Sequence, residues 1–215
     1  MTIDLPGGGL SSGDSLHLDI EQGTAEWRLA RCGIPTASNF YKMLTPNGTP
    51  SRQAGDYLQK LVAEWQTGNP ASTEPNEWML RGIELEPQAR SFYEQHTGSM
   101  VKQIGLVYLD DRRLIAASPD GLIGADGLLE IKCPAPHNHT ACLSAAAMPR
   151  KYLPQVQGQL WVTGRQWTDF LSYHPDFEPL IVRIGRNEKY IVKLAQVVEN
   201  FVINLLKNRQ QRSQT

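Results

Sequence analysis

The sequence predicts an α/β fold, with a central mixed β-sheet flanked by helices. Three observations carry this expectation. Helical periodicity dominates residues 24 to 98, with caps and stops at its joints. Short apolar runs separated by turn residues then fill 105 to 133. A helical pattern, two more strand patterns and a last apolar helical stripe follow, for an order of α-α-α-α-β-β-β-α-β-β-α.

Each element has a local reason. Residues 1–19 are rich in Gly and Ser and are expected to be poorly ordered, leaving 20–215 as a single domain. Thr24 caps a helix over Glu26 to Arg31, which Gly33 ends. Thr36-Ala37-Ser38 caps a short helix reaching Met43, and the loop Thr45 to Pro50 follows. Ser51 starts a helix carrying Tyr57, Leu58, Leu61, Val62 and Trp65, stopped by Gly68 and Pro70. Glu74 to Gly98 reads as a long helix that Pro87 should kink or restart. Strands are expected near 105–109, 113–117, 122–123 and 128–133, as an antiparallel meander. Residues 134–150 read as a loop with some helix, and Tyr152 to Val162 as a helix that crosses back. Trp167–Tyr173 and Leu180–Ile184 read as strands. From Asn187, Ile191, Leu194, Val198, Phe201, Val202 and Leu205 form the stripe of the last helix.

Composition narrows the function classes. The net charge of −1 does not favour a protein that coats nucleic acid by charge alone. Cys32, Cys133 and Cys142 are an odd, scattered set, which points to a reducing compartment without a disulfide framework. No apolar run is long enough to span a bilayer, and no signal pattern opens the chain, so a soluble intracellular protein with no membrane role is expected.

The chemistry concentrates in Ser118-Pro119-Asp120-Gly121 and Leu129-Glu130-Ile131-Lys132. On a strand, Glu130 and Lys132 point one way while Leu129 and Ile131 point the other. Asp120 sits in a Pro-Asp-Gly turn that can fold back beside them. Two acids and a cation at this spacing can hold a divalent metal and orient a water, which equips them to cut a phosphodiester. An ordinary turn Asp and two surface charges are the plainer alternative.

Pro119-Asp120 followed by Glu130-Ile131-Lys132 resembles the motif of the PD-(D/E)xK nuclease superfamily. Further blocks resemble the phage lambda exonuclease and YqaJ-like viral recombinase family. They are Glu21-Gln22-Gly23, Trp27, the run Arg31 to Ser38, Gly82, Glu86, Gln155-Val156-Gln157 and Trp161-Val162, in order from about residue 20 to the last helix. The resemblance implies a restriction-endonuclease-like core and a 5′-to-3′ exonuclease. Such an enzyme processively degrades one strand of double-stranded DNA from an end. It gives mononucleotides and a 3′ overhang for a single-strand annealing protein. The resemblance also implies a homotrimer and two Mg²⁺, with Mn²⁺ as a substitute, in a phage or prophage system of the bacterial cytoplasm.

Residue roles follow from the same resemblance. Asp120, Glu130 and the Ile131 backbone carbonyl would hold one metal, and Glu86 would join Asp120 on a second. Lys132 would position and help deprotonate the attacking water. Gln155 would hydrogen-bond near the water or phosphate, with Gln159 one turn on as a second candidate. On pattern alone, Gln155 reads as a solvent-facing helix residue. Arg31, Ser38 and Ser118 would bind the 5′-terminal phosphate. Simple capping by Thr36 and Ser38, with Arg31 at the surface, accounts for the first two equally well. Met79 would be an apolar wedge at the duplex fork, with Trp78 as its neighbour in that role, and it suits a core methionine equally.

Other readings stand beside this one. A non-catalytic DNA-end-binding scaffold would have lost one of the site residues, and all are present. A same-superfamily endonuclease would not need the Arg31–Ser38 block. Cys133, His137, His139 and Cys142 match no common zinc spacing and read as a solvated loop. Lys207, Arg209 and Arg212 read as a solvated helix end.

Overall fold

A computed structural model describes residues 15–71 and 77–213. Two sheets organise these residues. The smaller is antiparallel, in the order β1-β3-β4, from β1 (Leu16–Leu18), β3 (Leu106–Tyr108) and β4 (Ala116–Ala117). The larger has the order β2-β5-β6-β7-β8, from β2 (Val101–Lys102), β5 (Gly121–Ile123), β6 (Gly127–Lys132), β7 (Trp167–Ser172) and β8 (Leu180–Gly185). Its pairs are antiparallel except β6–β7, which is parallel. A parallel pair needs a crossover. Helices α4 (Pro136–Ala145) and α5 (Leu153–Thr163) supply it, so the expected mixed sheet with flanking helices is what forms.

Four details differ from expectation. The meander splits: β3 and β4 pair in the small sheet, and the chain changes sheets at Ser118-Pro119-Asp120. Proline there lacks the N–H that would continue the ladder. The segment expected to be poorly ordered runs through residue 19, yet Leu16–Leu18 pair with Leu106–Tyr108. Alternating apolar residues in LHL suit that edge position, whereas residues 1–14 lie outside the described residues. Pro87 does not restart its helix, since α3 runs unbroken over Glu77–Thr97. Proline costs α3 the bond to the Ile83 carbonyl, and Ile83 is exposed, so water can reach that turn. Finally, 134–150 is more helical than expected, because Pro136 takes the favourable first-turn position of α4.

The large sheet buries both faces. Leu128 joins a core built from α2 (Ala54–Thr67), α5 and α6 (Glu188–Ser213). Leu129 and Ile131, pointing the other way, join Ala89 and Tyr93 of α3. A smaller cluster under the small sheet holds Ile34, Leu106, Tyr108 and Ala116. Helix α5 lies against the 3-10 helix Ala37–Lys42. Gly158 permits the approach, for a Cβ there would stand 2.4 Å from the Phe40 ring.

A polar tie fixes α3 to the sheet. The Tyr93 hydroxyl donates to buried Asp169 at 2.6 Å, and Arg183 donates to both Asp169 oxygens at 2.8 and 2.9 Å. Asp169→Ala strands the Tyr93 hydroxyl and is expected to lower unfolding free energy by about 1–3 kcal/mol. Tyr93→Phe removes the same bond without stranding Tyr93 and should cost about 1 kcal/mol. Urea unfolding of both variants checks the order.

Candidate active site

The site grows from a place where the sheet ladder stops on one side. β5 pairs with β6 through Gly121↔Leu129, while β7 follows β6 to Lys132. Residues 130–132 therefore have no strand on their β5 side. Asp120 fills part of that edge: its N–H donates to the Leu129 carbonyl at 3.1 Å, and its Oδ2 accepts from the Ile131 N–H at 2.6 Å. In a strand, one residue's N–H and C=O point to the same side. The Ile131 carbonyl thus faces the edge that Asp120 occupies.

Glu130 points to the other side of the sheet, toward α5, and its side chain is 1% exposed. Burying a carboxylate is costly unless donors surround it. Lys132 Nζ and Gln155 Nε2 both donate to Oε1, the latter at 2.5 Å, and Gln159 Nε2 donates to Oε2 at 2.6 Å. Glu130 and Lys132 share a face as strand geometry requires. Both glutamines belong to the site, and Gln159, fully buried, is no lesser partner than Gln155. Their i, i+4 spacing on one helix face was the available signal.

Glu86 on α3 pairs with Arg90. Burial raises its carboxyl above the ordinary range, with nearby Glu130 adding to the effect against Arg90 and Lys132. Asp120 is held well above its ordinary value, by burial first and then by Glu130 and Glu86. The three carboxylates therefore feel one another across one site. Burial alone would lower the Lys132 ammonium, but Glu130 and Asp120 outweigh it and hold it protonated beyond the usual range. Burial beside Glu86 and Asp120 also pushes the Cys133 thiol up to about 12, which leaves it inert.

A cation fits this donor set by chemistry: clustered carboxylate oxygens and a strand-edge carbonyl are hard ligands. Among the described residues, no group of His, Cys, Asp and Glu is closed enough to hold a metal as it stands. Glu86, Asp120 and Glu130 instead hold protein donors, which a metal would have to displace.

A second, cationic centre adjoins the first. The Arg31 guanidinium lies 3.7 Å from the Trp27 ring and donates to Thr36 Oγ1 at 3.2 Å and Ser38 Oγ at 3.3 Å. Trp27 Nε1 donates in turn to Ser118 Oγ at 3.1 Å. Arg31, Ser38 and Ser118 are thereby joined, two residues before Asp120. Burial pushes Arg31 down to about 10, against the raising pull of Tyr57 and Glu64. Among the described residues no carboxylate lies within ion-pair distance of Arg31. Capping does not describe this region, for Thr36 makes no side-chain cap and its hydroxyl accepts from Arg31 and Asn39. Trp27 and Thr36 were missed as site residues, and only the fold shows that Trp27 bridges Arg31 to Ser118.

The remaining candidates sort plainly. Met79 falls in the first turn of α3, and its side chain lies outside the described residues; neighbouring Trp78 is 50% exposed. His139 is buried and satisfied by Ser172 and the Glu178 carbonyl. The tail packs back: Arg209 donates to the Gly33 carbonyl, and Arg212 to Gln59 and Gln66 of α2. No described helix is long and apolar enough to cross a membrane.

A raised Asp120 pKa has a sign. The folded chain binds more protons than the unfolded one just above the ordinary Asp range. Stability therefore falls as pH rises through that window and stays reduced at pH 8. Asp120→Asn keeps an acceptor for the Ile131 N–H and removes the charge. It is expected to raise unfolding free energy in EDTA at pH 8 by about 0.5–2 kcal/mol. Mg²⁺ should raise the wild-type denaturation midpoint and leave that of Asp120→Asn in place.

Known proteins resemble this chain across the span that holds these residues. A model of the YqaJ-like viral recombinase domain matches residues 26–166. The structure of an alkaline exonuclease, LHK-Exo, from Laribacter hongkongensis is 34% identical, with a TM-score of 0.81 over 89% of this chain and 97% of that one. A phage-related exonuclease from Haemophilus somnus shares the fold at 18% identity and a TM-score of 0.62, covering 81% of this chain and 96% of that one. An uncharacterized protein of Acanthamoeba polyphaga mimivirus, R354, is 32% identical over 110 residues, 45% of this chain but only 20% of that protein. From Trp27 through the α5 glutamines, the residues of both centres fall within the matched span, and the chain belongs to the YqaJ-like viral recombinase domain family.

Proposed function

We propose that this chain is a metal-dependent deoxyribonuclease of DNA recombination. It degrades one strand of double-stranded DNA 5′ to 3′ from an end and releases mononucleotides. The observation that carries this reading is the pairing of two opposite centres. A carboxylate–lysine cluster lies at Asp120, Glu130 and Glu86, and an uncompensated cation with hydroxyls lies at Arg31. Ser118-Pro119-Asp120 joins them. The likeness to an alkaline exonuclease supports the same reading.

Asp120, Glu130 and the Ile131 carbonyl would hold one Mg²⁺, and Glu86 with Asp120 a second, with Mn²⁺ as a substitute. When bound, such ions supply charge stabilisation for the attacking and leaving oxygens and lower the pKa of water. Arg31, Ser38 and Ser118 bind the 5′-phosphate and fix which bond is presented. Gln155 and Gln159 hold Glu130 in one orientation. Lys132 enters as an ammonium, held so by Glu130 and Asp120. Its first task is then to place the attacking water and the scissile phosphate. Proton removal by its amine follows only when those anions are occupied elsewhere. The first turn of α3, with Met79 and Trp78, is assigned to parting the strands. A homotrimer closed around DNA would supply processivity, and an annealing protein would take the 3′ overhang. A phage or prophage setting in the bacterial cytoplasm completes the proposal.

A linear duplex labelled at either end, with Mg²⁺ or EDTA, tests the activity beside a closed circle. Early release of the 5′ label as mononucleotide, an intact circle and silence in EDTA are expected. Cutting of the circle would assign an endonuclease instead, and binding of linear DNA without cleavage would assign a scaffold. Lys132→Ala is expected to abolish turnover with DNA binding near normal. Arg31→Ala should slow digestion of 5′-phosphorylated ends selectively; equal loss on unphosphorylated ends would remove Arg31 from phosphate binding.

A further inference from the structure

A cleft of about 480 Å³ opens beside Lys132, and apart from that lysine its lining has no part in the roles above. It lies at the carboxyl ends of β6 and β7, under α4 and the segment leading into α5. Crevices at the carboxyl ends of parallel strands are where open α/β sheets bind ligands. Its size suits a small organic group.

The wall is apolar and aromatic. Ala141 and Ala145 of α4 line it together with Met148, Tyr152 and Phe170. The Tyr152 and Phe170 rings lie 5.5 Å apart between centroids. The rim carries Lys132, Arg150 and Lys151, and among the described residues no carboxylate lines it. Lys151 Nζ and Lys132 Nζ lie 5.0 and 5.5 Å from the Tyr152 ring. An apolar wall under a cationic rim fits a group that is flat and apolar at one end and anionic at the other. A nucleobase attached to its phosphate is such a group.

The two centres give the strand a direction. A 5′-phosphate held at Arg31, Ser38 and Ser118 puts the first nucleotide against Asp120. Lys132 both binds Glu130 and lines the cleft, so a strand that continues past the carboxylates would meet it. We propose that this cleft is the subsite for the nucleotide on the 3′ side of the scissile phosphate. Its base lies against the Met148–Tyr152 wall, and its 3′-phosphate meets Arg150 and Lys151. The inference rests on the exonuclease reading above and adds a positioning site to it.

The cleft is suited to any base. Asn138 is its one side-chain amide, and the Ser172 hydroxyl is already engaged by His139 at 2.8 Å. A wall that stacks without a donor–acceptor code is sequence-tolerant. An enzyme that removes every nucleotide in turn needs that tolerance.

The test compares two 5′-phosphorylated duplexes, one intact and one with a tetrahydrofuran abasic residue as its second nucleotide. Single-turnover release of the first nucleotide is measured with Mg²⁺, and duplex binding by anisotropy in EDTA. Wild-type protein is expected to cut the abasic duplex about tenfold more slowly. Ala145→Phe fills the cleft from an exposed helix position. It should cut the intact duplex about as slowly and lose the difference between substrates, with its melting temperature unchanged. Ala141→Leu should act the same way if Ala145→Phe alone perturbs folding. Equal wild-type rates on both duplexes, or a full difference retained in both variants, would overturn the subsite and leave the exonuclease standing. No release from either duplex, with weaker abasic binding still seen, would overturn the exonuclease reading while supporting the subsite. No release and equal binding would overturn both.

Discussion

Burial of the Glu130 carboxylate in the large sheet is the constraint on which the rest of the site depends. A charge this deep needs its donors brought to it. Lys132 comes on the same strand face, but Gln155 and Gln159 come on α5. Helix α5 must therefore lie close, and Gly158, between those glutamines, lets it close onto Phe40. Phe40 belongs to the same short helix as Ser38. One buried carboxylate thus fixes the helix that faces it, and that helix supports the segment bearing Ser38. The carboxylate centre and the Arg31 centre are consequently parts of one packing arrangement.

Both centres are electrostatically unfinished, with opposite signs. Around Asp120, mutual repulsion and burial favour protonation. Around Arg31, burial works against a cation met by hydroxyls and an indole face, and the pull of Tyr57 and Glu64 does not offset it. Neither imbalance benefits the isolated fold, and strain of this kind marks functional sites. A cation at the first centre and a phosphate at the second would relieve both. The ordinary polar ties show the contrast. Asp169 is nearly as buried as Glu130, and Tyr93 and Arg183 satisfy it fully. That tie also orients α3, the helix that carries Glu86. Asp169 thus meets only donors, whereas Asp120 is crowded by Glu130 and Glu86.

Much of this was legible in the chain, for identifiable reasons. Strand alternation put Glu130 and Lys132 on one face and Leu129 and Ile131 on the other, because a period of two admits no other arrangement. Helical periodicity placed α2, α5 and α6 to within a few residues. What escaped depends on contacts between distant segments. Nothing local tells that Trp27 donates to Ser118, or that β4 and β5 lie in different sheets. Two- and three-residue strands such as β1 and β2 carry too few side chains to show a period. Pro87 does not restart α3, because Ala89 and Tyr93 packed on the sheet hold the helix through it.

The break in the ladder after Leu129 shows how fold and chemistry meet. An unpaired stretch of strand is normally a liability, open to pairing with any other chain. Here the chain's own corner covers it. Pro119 ends the small sheet, and Asp120 turns in to take the Ile131 N–H. Gln22 anchors the corner by donating to the Pro119 carbonyl at 2.9 Å and to the Ile104 carbonyl at 2.8 Å. A continuous β5–β6 ladder would have satisfied Ile131 with backbone alone and left no room for a carboxylate beside it. Ending the ladder one residue before Glu130 instead sets an Asp oxygen and a backbone carbonyl side by side. The position of Pro119, rather than that of the acids alone, is thus what brings a carboxylate and a backbone carbonyl together at a sheet edge.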